Sequence, residues 1–324
     1  MIPAPFHKLG AIALAAAFGL AGAAAAQPYP SKPIRLVVAA APGGGTDFVA
    51  RLMGNKLTEA LGQQVIVDNR PGAGSTIGFE FGVRSAPDGY TLLMVSPSWS
   101  ISPSLYPVKY DAQNDYTPVI PVARGPYLVA VHPSLPARGI RELVALAKAR
   151  PEQINYGSSG LGAIVHLTTE YFLHMAGVKM THVPYKGGGP AMTDLIAGHI
   201  QVLFATSQVG LPQAKAGRLR ALAVTTPERM PAEPGIPTVT ESGVPGYVVV
   251  NWHGLIGPKG LPRAVVERLN AEMNRIVKLK DMEERLQADG MAPAGGTPEQ
   301  LYEHIRKEIE QWRQVVARAG IRIN

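Results

Sequence analysis

Four glycine-rich turns constrain this chain more than any other feature: "PGGGTD" (42–47), "RPGAGST" (70–76), "YGSSGLGA" (156–163) and "PYKGGGPA" (184–191). Each follows a short apolar run and precedes a helical pattern. The run "PIRLVVAA" (33–40) is nearly continuous in apolar character, as expected of a strand buried on both faces. It passes through the first glycine turn into a helical stripe of Val49, Leu52, Met53, Leu57 and Leu61. "QVIVDN" (64–69) and "YTLLMV" (90–95) continue the alternation. Strand–helix–strand order with short connections predicts an α/β fold with parallel-rich sheets and helices on both faces.

The pattern restarts after the Pro-rich "YTPVIPVARGPYLVAVHPS" (116–134), which reads as a double strand. Strands are expected near 180–185, 200–206 and 219–226, each separated from the next by a helical segment. A long Pro/Glu/Gly loop then leads to "YVVVNWHGLIGP" and two amphipathic helices, the last carrying Leu301, Ile305, Ile309 and Trp312 at helical spacing. This C-terminal piece has no sheet of its own, so it must complete the first block. The expected division is a discontinuous domain of residues 27–122 plus 227–324, with 123–226 inserted. The chain then crosses twice, near 121–126 and 224–230. Paired crossings make a hinge, and the cleft between two domains is a favoured ligand site.

Residues 1–26 fall outside this scheme. His7 and Lys8 precede an apolar run from Leu9 to Ala23, and Ala24-Ala25-Ala26 before Gln27 suits signal cleavage. At ~1.5 Å per residue the run spans roughly 22 Å, short of the ~30 Å hydrocarbon core. A cleaved secretory signal peptide is expected, and with no cysteine in the chain a lipid anchor there is excluded. An exported chain without disulfides needs an ample core. The formal net charge of +7 is spread without blocks of like charge, and basic residues are not interleaved with aromatics. That balance suits anionic small molecules and gives no nucleic-acid surface.

In an open parallel sheet the glycine turns lie at the carboxyl ends of the strands, where ligands bind. Bare backbone N–H groups and helix N-termini there favour anions. The candidate ligand-binding residues are Gly43, Gly44, Gly45 and Thr46; Gly72, Ala73, Gly74 and Ser75; Ser158, Ser159 and Gly160; and Tyr185, Gly187 and Gly188. Ser96, Ser98 and Trp99 follow the third strand, where Trp99 could stack on an aromatic acid or simply pack. His166 lies one turn into the helix after the third glycine turn and is open to either reading. Asp47 would repel an anion, so its expected role is structural, holding loop N–H groups. Single alternatives exist for each turn, since tight turns and helix caps also use glycine.

Other chemistries fit less well. No G-x-S-x-G elbow is present, Ser159 before Gly160 being the nearest approach to a nucleophile. His166, His174 and His182 stand eight residues apart, which is not a metal-ligand spacing on a helix. "PGGGTD" lacks G-x-G-x-x-G, although Asp68 falls at a distance that keeps a dinucleotide-binding enzyme open as a rival. No cofactor, metal or catalytic residue is expected.

The segments "YPSKPIRLVVAAAPGGGTDFVARL", "VDNRPGAGSTIG", "HVPYKGGGPAMTDLIAGHI" and "LRALAVTTPERMPAEPGIPTVTESGVPG" together resemble the Bug family. These are TctC-type periplasmic solute-binding proteins of tripartite tricarboxylate transporters, and the resemblance runs through the whole chain after residue 26. It implies a two-domain type II (Venus-flytrap) binding protein, acting as a monomer, that closes on a small carboxylate and delivers it to membrane permease subunits. It also implies that turns 42–47 and 70–76 hold a ligand carboxylate through backbone groups and waters, opposed by turns 157–163 and 185–189. Where many members carry Asp, this chain has Ala205, followed by Thr206 and Ser207 as candidate contacts; this weakens the case for a ligand ammonium. A sensing role with a receptor kinase remains an alternative to transport.

Overall fold

The computed structural model describes residues 29–320; the expected signal peptide, 1–26, lies outside them. Among the described residues no helix is long and apolar enough to cross a membrane. The chain runs β1 (Ile34–Val38), α1 (Gly45–Leu61), β2 (Val65–Asn69), α2 (Thr76–Val83), β3 (Thr91–Val95), α3 (Ser98–Ile101) and the long β4 (Tyr116–Val131). It continues through α4 (Ile140–Ala149), β5 (Asn155–Ser158), α5 (Ile164–Ala176), β6 (Thr181–Pro184), α6 (Gly188–Ala197), β7 (Val202–Thr206), α7 (Ser207–Lys215) and β8 (Arg220–Val224). It ends with β9 (Val250–Pro258), α8 (Arg263–Ile276), α9 (Lys280–Ala288), the two-residue β10 (Ala292–Pro293) and α10 (Pro298–Ala319). Three helices follow β9, one more than the sequence pattern suggested, because α9 carries only Met282 and Leu286 into the core.

The sheet order is β2-β1-β3-β9-β4-β7-β5-β6, with β8 and β10 also pairing to β4. β1 pairs parallel with β2 and β3, and β5 pairs parallel with β6 and β7. β4 and β9 run antiparallel between these two parallel groups. This is the two-lobed, parallel-rich α/β arrangement expected. Alternation along β1 shows why it is apolar throughout: Ile34, Leu36 and Val38 enter a core with α1 and α8, while Val37 faces a second core with Phe79, Trp99 and Leu301. The other lobe has its own core, built by β4, β5 and β7 with Leu143, Leu167, Phe172 and Leu195 from α4, α5 and α6.

The connection between lobes differs from the expected one. β4 is a single strand that pairs with β9 as far as Pro126↔Val250 and with β7 from Tyr127 onward. The second crossing falls at 249–250 rather than 224–230. Residues 225–249 stay on the second lobe, where Thr225 N–H donates to Tyr127 O and Val249 N–H donates to Thr225 O. Val239, Val244, Tyr247 and Val249 are buried in that lobe's core, so this Pro/Gly-rich loop is core material and not linker. α10 likewise serves both lobes, with Leu301 and Ile305 in the first and Trp312 and Val316 in the second. Its start is fixed by a capping box in which Thr297 and Gln300 exchange side-chain and backbone hydrogen bonds.

Where α10 passes from one lobe to the other, Glu308 is buried and accepts a 2.7 Å hydrogen bond from Trp252 Nε1 on β9. Burial pushes its carboxyl up to about 7, against partial compensation from Trp252, Ser100 and Trp312. A carboxyl whose pKa is raised by folding stabilises fully below its unfolded value and costs stability as pH rises toward the folded one. From 4.5 to about 7 the penalty grows to the order of 3 kcal/mol. Glu308→Gln should therefore melt higher than the parent above pH 7 and converge with it near pH 4.5. Paired thermal melts across this range check it, and parallel curves would refute it.

Candidate functional site

A cavity of about 460 Å³ lies between the lobes. Its wall is made by the ends of strands and the starts of helices. The β1–α1 turn contributes Gly44, Gly45 and Thr46; the β2–α2 turn contributes Gly72, Ala73, Gly74 and Ser75; Ser96 and Ser98 follow β3. From the other lobe come Ser159 and Gly160 after β5, Tyr185, Gly187 and Gly188 after β6, and Thr206 at the end of β7. The residues preceding the first turns of α1, α2, α5, α6 and α7 are Gly44, Ser75, Ala163, Gly187 and Thr206. All five line the cavity, and none caps its helix with a side chain. First-turn amides have no intrahelical acceptor, and each helix N-terminus carries about half a positive charge. Five such ends meet at one volume.

The charge around the cavity follows the same sign. Among the described residues lining it, none is acidic and Lys186 alone is charged. Asp47, close by in sequence, is turned into the protein. Its carboxylate accepts from Gly43 N–H, Asn69 Nδ2 and Arg51, at 3.0 Å each. Burial raises its pKa, but these partners outweigh that and hold it below the usual carboxylate value. The β2–α2 turn is the most constrained part of the wall, with φ of 124°, 45°, 60° and 82° at Gly72, Ala73, Gly74 and Ser75. Left-handed Ala and Ser are costly and persist where surroundings over-determine them. Ser102 Oγ donates to Gly74 O at 2.8 Å, and the Tyr106 ring lies so close that a Cβ on Gly74 would sit 2.2 Å from it.

The lobes touch across the cavity mouth. Tyr106 Oη, from the first lobe, donates to Leu161 O of the second. A Cβ on Gly45 would lie 2.8 Å from Thr206 Oγ1, and one on Gly187 would lie 2.6 Å from Ala41 Cβ. Backbone is pressed against the opposite lobe at both places, which only glycine permits.

Residues 49–321 match the family described as tripartite tricarboxylate transporter family receptor, TctC. The chain belongs to this family. It is 36% identical over 308 residues to the protein BugT of Bordetella pertussis, covering 94% of each chain. Among solved structures, R. palustris Rpa4515 with adipate superposes with a TM-score of 0.88 at 36% identity, over 91% of this chain and 99% of that one. MatC from Rhodopseudomonas palustris with bound malate gives 0.85 at 29% identity, over 89% and 100%. The resemblance to Bug proteins in sequence is thus matched in fold, and this TctC-family receptor is a solute-binding protein and not an enzyme.

Several expected contacts of the receptor lie behind the cavity wall. Trp99 is fully buried, stacked on Tyr110 at 5.0 Å with Nε1 donating to Ala112 O, so it packs the first lobe and offers no face to a ligand. Ser158 is fully buried and paired with His182 Nε2 at 2.6 Å. His166 is also buried; its Nδ1 accepts from Gly162 N–H at 3.1 Å and its ring stacks on His182 at 4.0 Å. Ser207 is fully buried one residue beyond Thr206, and Gly43 spends its N–H on Asp47. Conversely, Tyr106, Tyr127, Asn251 and the apolar Phe79, Met94 and Leu203 line the cavity without having been singled out from sequence.

The two stacked histidines, with Tyr156 against His182 at 4.9 Å, brace the turn that carries Ser159 and Gly160. Burial lowers His166 to about 3, helped by neighbouring His182, and lowers His182 to about 4. Bases depressed by folding stabilise above their unfolded pKa of 6.5, and that contribution is lost as pH falls toward 4. Acidification across this window should destabilise the receptor, and replacing His182 with Gln should flatten the loss. Melting curves between pH 7 and 4 test this, an unchanged slope counting against it. Gly45→Ala should leave the fold intact but prevent full closure. Small-angle scattering should then show a radius of gyration larger than that of the parent under a stabilising acid.

Proposed function

We propose that this receptor captures a small organic acid in the periplasm, closes around it by hinge rotation, and delivers it to permease subunits of a tripartite tricarboxylate-type transporter. The observation that carries the reading is the meeting of five helix N-termini without side-chain caps on a cavity whose described lining holds no acidic group. Such a site favours an anion and offers no charge partner to an ammonium. The adipate and malate in Rpa4515 and MatC support a carboxylate. Export rests on the apolar N-terminal run ending at Ala26.

The ligand-binding set in this reading is Gly44, Gly45, Thr46, Gly72, Ala73, Gly74 and Ser75 from one lobe. Ser159, Gly160, Tyr185, Gly187, Gly188 and Thr206 come from the other, with Ser96 and Ser98 between. Backbone N–H groups, hydroxyls and bridging water hold the carboxylate, and closure excludes bulk solvent. The hinge pivots at 126–127 and 249–250, where β4 and β9 change lobes. The receptor works as a monomer, needs no cofactor, and binds no nucleic acid.

A thermal-shift screen against mono-, di- and tricarboxylates, with NAD as a control, tests this directly. An acid at a hundred times its Kd should stabilise by about 2.7 kcal/mol, and NAD should do nothing. No response to any carboxylate, or a clear response to NAD, would overturn the reading. Tyr106→Phe removes one hydrogen bond between lobes, worth about 1 kcal/mol. It should weaken the best acid roughly fivefold, mainly through faster release.

A further inference from the structure

The base of the cavity carries a polar pair that the glycine turns do not explain. Tyr127 is fully buried on β4, and Asn251 is 2% exposed on β9; both line the cavity. Tyr127 Oη donates to Asn251 Oδ1 at 3.1 Å, which fixes the orientation of the carboxamide. Asn251 Nδ2 is then a buried donor with no acceptor among the described residues. The pair sits where the strands pass between lobes, since Asn251 pairs with Gly125 and Pro126 pairs with Val250. The lining of the same cavity includes hydrocarbon from Phe79, Met94, Ile164, Val165 and Leu203.

A buried donor left unpaired is costly, whereas one that meets a ligand oxygen becomes a strong discriminator. Neither member of the pair carries a charge, and among the described lining residues only Lys186 does. A second carboxylate would meet one neutral amide amid hydrocarbon, and an ammonium would meet no carboxylate at all. Resting on the carboxylate-receptor reading, we infer that Asn251, held by Tyr127, is a specificity-determining residue. Its partner is the uncharged far end of the bound acid, so the ligand is a carboxylate with an apolar body and a neutral hydrogen-bond acceptor at its other end. The anionic end sits against the glycine turns beside Lys186.

Calorimetric titration of the full protein with hexanoate and 5-oxohexanoate separates these contributions, because the two acids differ by one carbonyl at the far end. The oxo acid should bind at least tenfold tighter. Asn251→Leu should erase that difference while leaving hexanoate within about threefold of its parent value, and Tyr127→Phe should reduce it in part. Equal binding of the two acids to the parent protein overturns the inference without any variant. An equal loss of both acids in Asn251→Leu, or a larger loss for adipate than for the oxo acid, also overturns it. If neither acid binds but malate or citrate does, this inference fails and the receptor reading stands; if no carboxylate binds, both fail.

Discussion

The preference of the cavity for an anion depends on helix N-termini whose first amides are left without side-chain caps. A helix start needs acceptors, and proteins usually supply them from Ser, Thr, Asp or Asn. α10 does so with Thr297, whereas α4, α8 and α9, whose preceding residues do not line the cavity, also lack side-chain caps. At the cavity the preceding residues are Gly44, Ser75, Ala163, Gly187 and Thr206, and none of their side chains turns back to the helix. What sets these five starts apart is that all of them border one shared volume. Parallel strands make this possible, because they deliver every strand end and helix start to the same edge of the sheet.

The same architecture explains where side chains other than glycine are tolerated. Asp47 stands in the first turn of α1, the position that best suits an acid, yet it binds Gly43, Asn69 and Arg51 behind the turn. Its charge shapes the loop and does not face the cavity. On the other lobe, the neutral His166–His182 stack does comparable work, His166 accepting Gly162 N–H and His182 hydrogen-bonded with Ser158 Oγ. Rigid second walls of this kind let thin glycine turns keep one geometry, which binding by backbone requires.

Much of this was legible in the sequence, and the limits have physical reasons. The glycine turns, their order and their place at strand ends follow from local pattern, so Gly44 to Thr46 and Gly72 to Ser75 reach the cavity as expected. Individual side chains were misjudged wherever one residue of register decides the face. Ser159 lines the cavity while Ser158, one residue earlier on β5, points behind the sheet; Thr206 lines it while Ser207 does not. Trp99 follows Ser98 on α3 by a 100° turn and lands in the core. A single-residue shift reverses direction in a strand, and sequence does not fix it at strand ends. Tyr127 and Asn251 were invisible for another reason. They meet only because β4 pairs with β9, 124 residues later, a contact that no local pattern encodes. The same long-range pairing moved the second crossing to 249–250, since Tyr247 and Val249 find a core that lies far from them in sequence.

The lobes meet through contacts of two kinds. Gly45 lies against Thr206 and Gly187 against Ala41, while Tyr106 packs on Gly162 and donates to Leu161 O and Ile101 enters the second lobe's core. Glycine and alanine bury almost no apolar side chain, so the Gly45 and Gly187 contacts by themselves add little to stability. A ligand that engages amides from both lobes binds the closed form far better than the open one, and only that difference can shift the equilibrium. Larger residues at the same positions would clash with the opposite lobe and hold the two apart. Small residues at Gly45 and Gly187 thus let turns of the two lobes approach each other at the cavity.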